Sequence, residues 1–261
     1  MPRFCANLSL LFTEIGFLDR FAAAARYGFR AVEYWFPYAY DKGALAEQLD
    51  RHGLVQVLFN LPAGDWEGGE RGIACLPERT GEFQDGVGLA LDYARALGCR
   101  LVNCLVGKTP VGADPARVHE TLVSNLRFAA RALEGAGVRL VVEALNTRDV
   151  PGFHLTGTRQ AARLLDAVGH PAAALLYDVY HMQVMEGDLI RTIREHLPRI
   201  AHVQIADNPG RHEPGSGEIN FPNLFRALDE AGYTGWVGCE YRPSTTTAAS
   251  LGWIRPYLAA A

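Results

Sequence analysis

Arg139-Leu140-Val141-Val142-Glu143 decides how the rest of the chain is read. Three apolar residues, two of them β-branched, stand between Gly137 and Asn146, the composition of a strand buried on both faces. A strand of that kind normally ends on something a core tolerates. This one ends on a carboxylate, and three later apolar runs also end on polar groups. Ala174-Leu175-Leu176-Tyr177 closes on Asp178, Ile200-Ala201-His202-Val203 on Gln204, and Trp236-Val237-Gly238-Cys239 on Glu240. Four polar groups at the carboxyl ends of successive strands point to one shared site.

The rest of the chain repeats the same alternation. Earlier strands are predicted at Phe4–Ala6, Ala31–Tyr34, Val55–Asn60 and Leu101–Cys104. Helical spacing runs over Phe17–Tyr27, Asp41–His52, Glu82–Leu97 and Pro115–Leu133, then Thr158–Val168, Asp188–His196, Asn223–Ala231 and Ala248–Tyr257. Gly28, Gly53, Gly98, Gly169 and Gly232 each follow a helix as stop signals, and Asp114-Pro115 is a start signal. Eight βα units without a linker predict a single (β/α)8 TIM barrel, one catalytic domain over residues 1–261. A doubly wound open sheet is the rival, and it would carry a G-x-G-x-x-G turn after an early strand. None follows the first strand, and no nucleotide or organic cofactor is expected.

Composition narrows the function classes. A net charge of −4 without any block of like charge argues against a nucleic-acid surface, which needs a basic stripe. No apolar run approaches the ~18 residues of a membrane span, and Met1–Asn7 lacks the apolar core of a secretory signal. Five cysteines, with no C-x-x-C pair, read as buried free thiols of a cytoplasmic protein.

In such a barrel the active site lies at the carboxyl ends of the strands, here marked by Glu33, Asn60, Asn103, Glu143, Asp178, Gln204 and Glu240. Any one carboxylate could be a rim residue paired with an arginine. Three buried together are costly unless a cation sits among them. Glu143, Asp178, Glu240 and the Gln204 amide oxygen form a hard oxygen set suited to Mg²⁺ or Mn²⁺. Such an ion can polarise a carbonyl and hydroxyl, while a carboxylate on either side moves a proton between adjacent carbons. Glu143 and Glu240 end strands three steps apart in the ring, which sets them facing each other. The long loop Leu61–Thr80 reads as a lid whose Trp66 and Arg71 close over a small anionic substrate.

Longer motifs add a resemblance that runs nearly end to end. NLPAGDWEGGERGIACLP from Asn60, NCLVGKTP from Asn103, PGFHLTGTRQA from Pro151, YDVYHMQ from Tyr177, AHVQIADNPGRHEPGSGEIN from Ala201 and GWVGCEY from Gly235 carry it. With these the chain resembles the hydroxypyruvate isomerase family of the xylose-isomerase-like barrels. The resemblance implies interconversion of hydroxypyruvate and tartronate semialdehyde through an enediol-like intermediate. It places the proton acceptor and donor on Glu143 and Glu240, and the metal positions on Glu143, Asp178, Gln204 and Glu240. Substrate-binding positions of related sugar epimerases fall on Asp149, His181 and Arg211, although those epimerases commonly carry histidine where this chain has Gln204. Arg71, Lys108 and Arg211 are the candidate cations for a substrate carboxylate.

A sister group acting on 2-oxo-tetronate is the nearest alternative, and its third-strand loop diverges from GDWEGGERG. A sugar 3-epimerase, an endonuclease IV-like nuclease and a non-catalytic binding barrel are the others. The nuclease would need a histidine-rich zinc cluster and a basic groove. The binding barrel would have no need of both Glu143 and Glu240. The expected partner is a small hydroxy or oxo acid, with no nucleic acid and no membrane, and a homo-oligomer is the form barrels of this kind often take.

Overall fold

The computed structural model describes residues 1–258, and the last three residues of the expected 1–261 domain lie outside them. Its strands are β1 (Arg3–Asn7), β2 (Ala31–Glu33), β3 (Val55–Gln56), β4 (Leu58–Asn60), β5 (Leu101–Cys104), β6 (Arg139–Glu143), β7 (Ala173–Asp178), β8 (Ile200–Ile205) and β9 (Trp236–Cys239). Neighbours pair in parallel in the order β3-β2-β1-β9-β8-β7-β6-β5-β4. The strand expected to be continuous over Val55–Asn60 is interrupted at Val57, where the buried Gln56 side chain donates to the Leu58 carbonyl at 2.8 Å. The two ends of the sheet are therefore halves of one stave. Val57 N donates to Val32 O (2.9 Å) and Asn60 N to Trp35 O (2.8 Å), and these bonds carry the pairing past the break and close the ring.

Side chains alternate across each stave, and the two faces receive different residues. Phe59, Val102, Leu140, Val142, Leu175, Val203 and Val237 pack in the layer under the helices. A second, smaller cluster of Cys5, Ala31, Leu58, Val141, Ala174 and Leu176 fills the floor of the barrel. Two residues further along the same faces come Asn7, Glu33, Asn60, Glu143 and Asp178, all buried. The barrel interior thus changes from apolar to polar within one step of the strand period.

The helices are α1 (Asp19–Arg26), α2 (Lys42–His52), α3 (Thr80–Leu97), α4 (Pro115–Glu134), α5 (Thr158–Val168), α6 (Val179–Met185), α7 (Leu189–His196), α8 (Phe221–Glu230), α9 (Thr247–Ser250) and α10 (Arg255–Leu258). In α4, Asp114 caps Ala116 N at 3.1 Å and Pro115 occupies the first turn. Its buried stripe of Val118, Leu122, Leu126, Ala129 and Leu133 faces the sheet, each large aliphatic contributing about 2 kcal/mol. α6 was not anticipated, because Asp178 both ends β7 and caps the helix, accepting from Tyr180 N (2.7 Å) and His181 N (3.2 Å). The single helix expected over Ala248–Tyr257 is two short ones, with Gly252 in the break between them and Pro256 in the first turn of the second. All five cysteines are buried and unpaired. Among the described residues, no helix is long and apolar enough to cross a membrane.

The loop after β4 is packed against the barrel. Ile73, Ala74 and Cys75 are buried, Cys75 N donates to Val106 O at 2.9 Å, and a 3-10 turn at Pro77–Arg79 leads into α3. Gly72 has φ +106°, and a Cβ there would lie 1.8 Å from Leu105 O, so only glycine lets the loop approach this closely.

Candidate active site

The polar end of the barrel opens into a cavity of about 480 Å³, with Glu143, Gln204 and Glu240 at its base. Glu143, the last residue of β6, accepts from Asn103 Nδ2 at 3.0 Å. Burial raises its pKa well above the carboxylate range, and the charges of Glu240 and Asp178 add to the rise. Glu240 follows β9. Its Oε1 accepts from Trp35 Nε1 and, at 3.2 Å, from Asn7 Nδ2, while Oε2 meets Arg211 Nη2 at 2.7 Å. Burial pushes Glu240 up to about 7, with Arg211 opposing and Asp178 and Glu33 reinforcing the rise. Two carboxyls so placed titrate as a pair, and at neutral pH the pair favours holding a proton.

His181 sits in the first turn of α6, directed inward by the Asp178 cap. Its Nδ1 accepts from Asn146 N at 3.1 Å. A backbone N–H can only donate, so the proton of the neutral ring is on Nε2. Burial lowers the His181 pKa to about 4, against the pull of Asp178, and keeps the ring neutral. Nε2 lies 3.8 Å from Glu143 Oε1 and 3.7 Å from Asp178 Oδ2, too far for a hydrogen bond to either. The N–H is left for whatever enters the cavity.

Gln204 donates from Nε2 to Glu33 Oε1 at 2.8 Å, and its Oε1 is buried with no hydrogen-bond partner. An orphaned amide oxygen beside mutually repelling carboxylates fits a hard divalent cation, for which Glu143, Asp178, Gln204 and Glu240 would be the oxygen ligands. Ligand-capable atoms of Glu143, Asp178 and His181 already lie within 4.8 Å of one another.

Of the three arginines that line the cavity, Arg71 and Arg211 reach it from the loops after β4 and β8. Arg211 follows β8 on a loop that buried Asp207 stitches together, accepting from Gly215 N (2.9 Å), Gly217 N (2.9 Å) and Ile219 N (3.1 Å). Its φ of +57° turns the side chain back over the site, and Nη2 stands 3.7 Å from Asp178. Arg71 lies 3.8 Å over the Trp66 ring, and its Nη1 donates to Trp66 O (2.9 Å) and Glu70 O (2.6 Å). Asp149 accepts from Asn146 Nδ2 (3.1 Å) and Tyr180 OH (2.9 Å). Burial would raise its pKa, but these two bonds, with the nearby His181 and Arg211, hold it low.

Of the residues singled out from the sequence, Arg71, Glu143, Asp149, His181, Gln204, Arg211 and Glu240 line one cavity, and Asp178 adjoins it through His181 and Arg211. Lys108 is not brought to the lining. Its Nζ donates to Gly69 O at 2.7 Å, bracing the loop that carries Trp66 and Arg71. Trp35, Tyr180 and Arg242 line the cavity but were not read from the sequence. Trp35 and Arg242 each stand two residues beyond a strand-end glutamate, a position that could have flagged them.

Comparison with known proteins bears on the fold and the family. The family model described as xylose isomerase-like TIM barrel matches residues 21–257. The chain is 55% identical over 257 residues to a hydroxypyruvate isomerase of Escherichia coli (strain K12), covering 98% of this chain and 100% of that one. A 2-oxo-tetronate isomerase of Cupriavidus necator is 47% identical over 258 residues, 99% of each chain. Among solved structures, one named AP endonuclease, family 2, from Brucella melitensis superposes with a TM-score of 0.97 at 47% identity, covering 98% of this chain and 99% of that one.

Proposed function

The chain belongs to the xylose isomerase-like TIM barrel family, and on that premise we propose that it is an isomerase interconverting hydroxypyruvate and tartronate semialdehyde. One observation carries the reading: two buried glutamates, Glu143 and Glu240, share one small cavity and are both held above the ordinary carboxylate range. A carboxylate of raised pKa is a stronger base when ionised and holds its proton at neutral pH when it is not. One glutamate removes a proton from the C3 hydroxymethyl group, and the C3–H electron pair becomes the C2–C3 double bond of an enediol. The other delivers a proton to C2, while the O3 proton is lost as the aldehyde forms and O2 gains one. The sum is an isomerisation without net oxidation.

His181 supports this by presenting a neutral N–H to a substrate oxygen on which charge develops. Arg71, held by two carbonyls and the Trp66 face, suits the substrate carboxylate, and Arg211 offers a second cation over Glu240. A divalent cation held by Glu143, Asp178, Gln204 and Glu240 would polarise the substrate carbonyl and hydroxyl as a Lewis acid.

Interconversion at the same reacting ends of the four-carbon 2-oxo-tetronate is the second reading. The Cupriavidus necator relative and a cavity with room for another carbon favour it. Nucleic acid, which the name of the Brucella melitensis structure suggests, ill suits a chain of net charge −4 with carboxylates at the base of its cavity.

Proton NMR of hydroxypyruvate in D₂O with the purified protein, with and without EDTA, tests the proposal. Expected are loss of the C3 proton signal and appearance of tartronate semialdehyde, both abolished in Glu143→Gln and Glu240→Gln. Loss of both in EDTA adds a required cation. No exchange in any condition sinks the hydroxypyruvate reading, and turnover of 2-oxo-tetronate in its place establishes the second.

A further inference from the structure

Beneath the cavity lies a carboxylate that the proposed reaction does not use. Glu33, at the end of β2, is fully buried and receives four donors. Oε1 accepts from Gln204 Nε2 (2.8 Å) and Asn7 Nδ2 (3.0 Å), and Oε2 from His202 Nε2 (2.6 Å) and Cys5 Sγ (3.4 Å). β9 makes room for it with Gly238, where a Cβ would lie 2.4 Å from Glu33 Oε1. Glycine inside an apolar strand marks a close approach of this kind.

We propose that Glu33 is a positioning residue, fixing which way the Gln204 amide points and, through Asn7, where the Glu240 carboxylate stands. The inference rests on the roles given above to Gln204 and Glu240. An ionised carboxylate can only accept hydrogen bonds. Against Glu33, Gln204 must therefore present its NH₂ group, which turns its oxygen away from Glu33, where that atom is buried without a hydrogen-bond partner. The same Asn7 Nδ2 that meets Glu33 Oε1 also meets Glu240 Oε1 at 3.2 Å, one amide spanning the two carboxylates. Asn7 is locked in turn, its Oδ1 accepting from Ser9 N at 3.0 Å. Stability alone does not account for the arrangement, because a buried carboxylate held by polar side chains, as Glu33 is by His202 and Gln204, is commonly no better than apolar side chains of equal volume. What the carboxylate supplies is direction.

Two variants test this. Glu33→Gln keeps the shape but can donate, so it releases the Gln204 amide to turn. Gly238→Ala keeps every polar group and displaces the Glu33 carboxylate. The first readout is the ¹⁵N side-chain amide signal of Gln204, assigned by its loss in Gln204→Met and recorded without substrate. In the parent protein it is shifted by a strong hydrogen bond and protected from exchange, and in both variants shift and protection are lost. The second is steady-state turnover, with kcat falling roughly 10- to 100-fold and KM changing by less than about threefold. An unmoved amide signal overturns the proposal even if kcat falls, and an unchanged kcat overturns it even if the signal moves. If Glu33→Gln does not fold, Gly238→Ala decides by the same two readouts. If the parent protein does not turn over hydroxypyruvate, the amide signal still decides whether Glu33 holds Gln204, and the turnover arm uses 2-oxo-tetronate.

Discussion

His181 illustrates how a single backbone donor sets a side chain's chemistry. Asn146 N–H fixes the tautomer and burial fixes the charge, so the ring faces the cavity as a neutral donor. The pH dependence of stability follows with a definite sign. The folded pKa, about 4, lies below the ordinary value of about 6.5, so the unfolded chain binds the proton more readily. The contribution is complete above pH ~6.5 and is lost as pH falls toward 4, a difference of roughly 3 kcal/mol. Glu143 and Glu240 act oppositely, their raised pKa values costing stability as pH rises, but they are present in any His181 variant and drop out of a comparison. From pH 7 to 5 the parent protein should lose more Tm than His181→Gln, while kcat of the variant falls on the order of 100-fold at pH 7.5. Parallel Tm curves would refute the neutral ring. Strand-end residues such as Glu143 and Glu240 were legible in the sequence because each terminates an apolar run, where a polar group is conspicuous. The placement of Lys108 was not, because four residues beyond a strand end no periodicity says where a side chain points.

At the scale of elements, the loop after β4 depends on two close approaches between glycines and the β5 exit. Gly72 would place a Cβ 1.8 Å from Leu105 O, and Gly107 would place one 2.7 Å from Gly72 O. Arg71 adjoins Gly72, so any shift there moves the guanidinium that faces the cavity. Gly72→Ala is therefore expected to destabilise by more than 1 kcal/mol and to raise KM more than it lowers kcat. Gly88→Ala is the contrast, since Gly88 is exposed in α3 with nothing within 4 Å of a Cβ. It should stabilise by about 0.5–1 kcal/mol in urea unfolding and leave KM alone. A KM unchanged in Gly72→Ala would remove Arg71 from substrate binding. The glycine-rich run was legible as a long loop, but not its packing, which is set by contacts with Leu105–Gly107 some thirty residues away. α6 escaped the sequence for a related reason, since one aspartate serves as both strand end and helix cap.

Closure of the whole barrel is what brings these residues together. β1 pairs with β9 as well as β2, so Asn7, Trp35 and Glu240, distant in sequence, meet on one carboxylate. The alternation of strands and helices made this closure readable, whereas the interruption at Val57, where the Gln56 side chain donates to the Leu58 carbonyl, is not told by strand periodicity. A closed ring also holds its three carboxylates near one another at a cost that a bound cation would offset. Binding to the folded state alone raises Tm by mass action, and a cation requires ionised carboxylates. Glu240 titrates near 7 and Glu143 higher than an ordinary glutamate, so protons compete with the cation below neutrality and release it from that competition above. Mn²⁺ added to EDTA-treated protein should therefore raise Tm, with an increment that grows from pH 6 to pH 8 and shrinks in Glu240→Gln. Scanning calorimetry at matched ionic strength separates this from general screening, since Na⁺ of equal ionic strength should give no such pH trend. A Tm indifferent to Mn²⁺ at every pH would mean that Arg211, 2.7 Å from Glu240 and 3.7 Å from Asp178, is the cation that the carboxylates keep.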